Sequence, residues 1–114
     1  MSDFIGNEPI EIEVLGRKFK VREIDGAEFD ALAEKYIVIG EDGVFNVDIA
    51  QRSKGLLGLV VDAPDDYSTN GKKFPELSEA DRLAILQKMK PMLRDKLIAA
   101  INKTMSADKE LKKK

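Results

Sequence analysis

The sequence predicts an α+β fold: an N-terminal β-hairpin followed by a mainly helical domain of three to four helices. Three observations lead there. Residues 10–22 alternate apolar and charged side chains with period two around a glycine. Most of the later apolar residues recur at helical spacing, each run preceded by a serine or aspartate suited to N-capping. A polar connection rich in turn formers, residues 62–76, separates two helical regions.

In the first element, Ile10, Ile12 and Val14 alternate with Glu11 and Glu13, and Phe19 and Val21 alternate with Lys18, Lys20 and Arg22. A two-residue turn at Gly16-Arg17, glycine first, suits a type II′ hairpin. That register sets Val14 opposite Phe19 and Ile12 opposite Val21 on one face. It sets Glu13 opposite Lys20 and Glu11 opposite Arg22 on the other, and each such pair is worth roughly 0.2–1 kcal/mol.

Asp25 then has the position of an N-cap, with Glu28 three residues on as in a capping box. Phe29, Leu32, Ala33 and Tyr36 follow at helical spacing, and this helix stops before Gly40. The turn Gly40–Gly43 is flanked by short extended pieces, 37–39 and 44–45. Asn46 or Asp48 caps a second helix that runs to about Val61. Gly55 and Gly58 each cost that helix about 1 kcal/mol against alanine, which suggests close approach by a neighbouring helix. Ser78 caps a third helix carrying Leu83, Ile85, Leu86 and Met89. Pro91 kinks it or opens a fourth, along which Leu93, Leu97, Ala100, Ile101 and Met105 continue. Residues 1–106 form one domain, and 107–114 a charged tail.

Composition narrows the chemistry. The 114 residues contain no histidine and no cysteine, which removes the commonest general base, the commonest metal ligand and thiol chemistry together. The expectation is a protein that is not an enzyme and holds neither cofactor nor metal. Asp62, Asp65 and Asp66 are the tightest carboxylate cluster, but their spacing does not match a calcium loop and reads as a solvated helix stop. "GLLG" at 55–58 has the letters of a nucleic-acid clamp, yet its leucines sit inside an apolar helical pattern and read as packing. No apolar run is long enough to span a bilayer.

Charge is polarised. Residues 1–79 hold 9 basic and 17 acidic side chains, and residues 80–114 hold 10 basic and 4 acidic. The apolar stripe of the last helix is wider than one core contact needs. Methionine adapts to irregular partners. Met92, Ile98 and Met105 are therefore the candidate partner-binding residues, with Lys88 and Arg94 on a basic rim. Nucleic acid is the weaker reading of that rim, because Asp95 interrupts it and no aromatic residue follows Pro75 to stack on bases.

The layout of "IEIEVLGRKFKVREI", a helix ending in "LLGLVVDAPDDY", and the closing "FPELSEADRLAILQKMKPMLRDKLIAAINK" resembles the tail assembly chaperones of long-tailed bacteriophages and related proviruses. The resemblance covers roughly residues 9–106. It implies a small cytosolic protein, absent from the mature virion, that binds the tape measure protein, keeps it soluble and helps recruit tail tube protein. A homo-oligomer is compatible with it. No catalytic or individual binding residue carries over. In many relatives a longer form arises by ribosomal slippage, and Lys112–Lys114 is a tripeptide whose codons can supply the adenine run that slippage needs. The alternatives are a small structural adaptor, such as a tail or capsid component, and a nucleic-acid-binding regulator.

Overall fold

In the computed structural model, which describes residue 6 and residues 8–105, two strands open the chain: β1 (Ile10–Val14) and β2 (Arg17–Val21). They pair antiparallel with Ile10 opposite Val21, Ile12 opposite Phe19, Glu11 opposite Lys20 and Glu13 opposite Lys18. The faces are those the alternation predicts, but the register differs by two residues and the turn is Leu15-Gly16. Both turn residues have positive φ, 51° and 78°, the type I′ arrangement rather than type II′. A slip of two keeps every side chain on its face. The observed register also brings Ile10 opposite Val21, where the expected one set Ile10 opposite Glu23. The number of directly opposed apolar pairs stays at two, because Val14 now stands opposite Arg17.

Helix α1 (Gly26–Tyr36) begins at Asp25, whose carboxylate accepts the Glu28 N–H at 2.8 Å. The reciprocal half of the expected capping box is not made. Glu28 instead pairs with Arg22 at 2.8 Å and so ties the helix start to the end of β2. Strands β3 (Ile37–Ile39) and β4 (Phe45–Val47) follow as a separate two-stranded sheet. Asp48 caps α2 (Ile49–Leu57), accepting the Gln51 N–H at 3.1 Å.

The second helix is shorter than its expected end at Val61. Val60–Asp62 is a strand, β5, that pairs antiparallel with β2 and makes a three-stranded sheet of order β1-β2-β5. Valines lose side-chain freedom in a helix and fit a pleated surface well, and the open edge of β2 supplies the partner backbone. The polar connection after β5 is anchored by its two aromatic residues. Tyr67 stands edge-on between Phe19 and Phe74, with ring centroids 5.4 and 6.4 Å apart. Burial pushes the Tyr67 hydroxyl's pKa up. Arg17 lies over the Tyr67 ring at 5.7 Å and pairs with Asp66.

Helix α3 (Glu79–Leu86) starts at its Ser78 cap, and α4 (Pro91–Met105) starts anew at Pro91, where the missing N–H would have been unpaired in any case. The fold is thus α+β, a hairpin plus four helices with small sheets. Its core joins Val14, Phe19, Val21 and Val60 of the three-stranded sheet to Leu56 and Leu57 of α2, Leu86 of α3, and Leu97, Ile98 and Ile101 of α4. The burial of Leu56 and Leu57 explains "GLLG" as helix packing. The charged tail 107–114, with Lys112–Lys114, lies outside the described residues.

Candidate functional site

The five residues expected to bind a partner do not form one surface. Met92 is 65% exposed in the first turn of α4, but Ile98 is 6% exposed and belongs to the core. At about 100° per residue, the six-residue step from 92 to 98 turns the side chain roughly 120° around the helix. The extra width of the apolar stripe arises because α4 packs on two elements, β1 and α2. Met105 is half-buried against the core, beside Ile24 and Phe29. Arg94 is turned to its neighbour Asp95 at 3.3 Å. Lys88 rims an open groove of about 560 Å³ that also exposes Leu15, Met89 and Leu93. The acidic cluster does not converge either, since Asp66 faces Arg17 and Asp62 accepts the Ala63 N–H at 2.8 Å. The Arg17 guanidinium holds the Asp66 carboxyl below the usual carboxylate range. Hydrogen bonding to the carboxylates likewise raises the pKa values of Arg17 and Arg22.

A different surface stands out. The β3–β4 hairpin presents Ile37, Val38, Ile39, Val44, Phe45 and Val47 to solvent, with Ile49 at its base, each 42–74% exposed. Its register, Ile37 opposite Val47 and Ile39 opposite Phe45, puts four of these side chains on one face and Val38 on the other. None of the seven belongs to the core cluster. Full burial of such a side chain is worth about 1.5–3 kcal/mol, so roughly half of that remains unrealised at each position, on the order of 7 kcal/mol in all. That is comparable to the whole stability of an ordinary domain, about 5–15 kcal/mol. Isolated two-stranded hairpins are marginal in water, and contiguous apolar patches of this kind mark interaction sites.

Extended pieces are expected at 37–39 and 44–45, and the strands are Ile37–Ile39 and Phe45–Val47, but those short stretches do not by themselves mark the surface they make. The signal is in the pattern: "YIVI" does not alternate, so β3 is apolar on both faces, whereas "FNVDI" alternates and sets Phe45, Val47 and Ile49 on one face. Such a strand needs a cover on each side, and among the described residues α4, the longest helix, packs on β1 of the other sheet.

Comparison of the chain with protein-family models, with curated proteins and with solved structures finds no match. The hairpin's geometry is therefore the main guide to function. Among the described residues, no helix is long and apolar enough to cross a membrane.

Proposed function

We propose that this protein is a tail assembly chaperone of the long-tailed phage type, which binds the tape measure protein and holds it soluble until tail tube subunits assemble around it. The observation that carries the reading is the uncovered apolar hairpin at 37–49. A carrier of an aggregation-prone client has to keep apolar surface in water before the client arrives, and it has to release that client later. Several half-exposed aliphatic side chains around one Phe45 meet both needs, because many modest contacts bind without a single dominant anchor. The sequence layout supports the same reading. In this role the protein works in the host cytoplasm and is not retained in the virion.

The test is co-expression with a fragment of a tape measure protein from the same genome. The expected result is a several-fold rise in the soluble fraction of that fragment, with the two proteins co-purifying. An unchanged soluble fraction together with no co-purification refutes the assignment.

A further inference from the structure

The hairpin's own chemistry indicates what kind of segment it takes. Gly40 donates its N–H to the Val44 carbonyl at 2.9 Å, and Asp48 donates to the Tyr36 carbonyl at 2.6 Å. Bonded pairs alternate along an antiparallel ladder, so Val38 and Asn46 form the bonded pair between these two. The Ile37 N–H is taken by the Ala33 carbonyl at the end of α1, so the Ile37 C=O and both groups of Ile39 point outward along one edge, and the N–H and C=O groups of Phe45 and Val47 along the other. Among the described residues the sheet has two strands, and neither edge is paired with a third. Unpaired edges of this kind accept an extended peptide by strand addition.

Charge restricts the peptide further. Residues 37–49 carry Glu41, Asp42 and Asp48 and no lysine or arginine. Among the described residues, none of the three is in an ion pair. The nearest basic residues in sequence, Lys35 and Arg52, belong to the flanking helices. Pairing of two such hairpins edge to edge would bring like charges together, which opposes a second copy of the same element as the occupant.

We propose that the β3–β4 hairpin receives an extended client segment of alternating apolar residues flanked by lysine or arginine, added as a third strand at an open edge with its cations at the acidic turn. The inference rests on the reading of this chain as a client-binding protein and specifies the chemistry of that same surface.

The experiment uses the full chain and three labelled synthetic peptides. One has six alternating valine and threonine residues between paired lysines, the second has glutamates in place of the lysines, and the third is the lysine peptide N-methylated at alternate amides. Fluorescence anisotropy at low ionic strength should show the lysine peptide binding at least about ten-fold more tightly than the glutamate peptide, with the gap closing in high salt. N-methylation should abolish binding, since it removes the donors for strand pairing. The double variant Ile39→Asp/Phe45→Asp should bind no peptide while keeping the wild-type circular dichroism spectrum, because both side chains lie outside the core. Equal binding of the lysine and glutamate peptides overturns the proposal, as does binding that survives N-methylation or the double substitution. Sedimentation showing self-association without peptide, lost in the double variant, makes the occupant a second copy and also overturns it. The co-expression assay separates the two levels. A tape measure fragment protected equally by wild type and double variant keeps the chaperone reading and removes the hairpin from it. Selective peptide binding without protection of the fragment does the reverse.

Discussion

Leu32 of α1 fills the notch left by the missing side chain of Gly55 on α2: a β-carbon at Gly55 would stand 2.2 Å from the Leu32 Cδ1. No residue of α1 is fully buried, so this contact and the Arg22–Glu28 pair do much to hold the helix to the domain. The β3–β4 hairpin follows directly from α1 and leads directly into α2, and its placement depends on how those two helices meet.

Alanine at Gly55 should therefore show two opposed effects. Overpacking costs about 1–3 kcal/mol, and alanine's better helix propensity returns about 1. The expected net result for Gly55→Ala is a loss on the order of 1 kcal/mol in urea denaturation. In a Leu32→Ala background the clash is gone, and the same change should stabilise by about 1 kcal/mol. A cycle with no coupling between the two sites would show that the notch is not a packing contact in solution.

Leu15 sets up the second prediction. It holds φ of 51° in the type I′ turn while its side chain is 59% exposed. A left-handed L-residue costs about 1–2 kcal/mol, and asparagine tolerates that region better than leucine. Leu15→Asn should stabilise the domain by about 1 kcal/mol, raising the thermal midpoint by about 4 °C or more. Leu15→Val should do the opposite, because a β-branched side chain is poorly suited to positive φ. A turn at Gly16-Arg17 would make both substitutions nearly silent.

The same turn shows what the sequence could and could not convey. Alternation fixes which face Ile12 and Phe19 occupy, because it depends only on the period of the strand. It does not fix register, since a two-residue slip preserves the faces and only the turn conformation tells the registers apart. Asp25, Asp48 and Ser78 were legible as caps because capping is local chemistry. Val60–Asp62 continues the apolar pattern of a helix, and the edge of β2 that recruits it into a sheet lies some forty residues away. Ile98 is ambiguous in sequence for a related reason: the stripe on α4 is wide enough for a partner, and α2 of the same chain is that partner. The apolar hairpin was visible as two short extended pieces. That its apolar side chains stay exposed among the described residues is a property of the whole fold, and no local pattern states it.

The two ends of the expected binding surface should respond differently to truncation. Ile98→Ala removes buried volume beside Leu97 and Ile101 and should cost about 3 kcal/mol. Met92→Ala should stay within about 0.5 kcal/mol, as ordinary surface substitutions do. Paired urea melts decide it, and equal losses at the two positions would contradict the burial of one and the exposure of the other.

Asp66 and Arg17 give the stability of this domain an acid-side dependence. The guanidinium holds the folded-state pKa of Asp66 below its unfolded value, chiefly through their hydrogen bond. The pair therefore stabilises the fold fully above the unfolded aspartate value, and the contribution is lost as pH falls through the lower folded value. Asp66→Asn should destabilise the protein at about pH 7, and the difference should shrink as pH falls through the lowered folded-state value and vanish once the wild-type carboxyl is protonated in both states. The pair is exposed, so the neutral-pH difference should be small and should shrink in added salt. Arg17 keeps its place over Tyr67 in the variant, which leaves the Phe19–Tyr67–Phe74 stack intact and confines the change to the ion pair. Thermal melts of both proteins across the acid range check this. A difference that persists unchanged to the lowest pH would assign the effect of Asp66 to loop packing instead of charge.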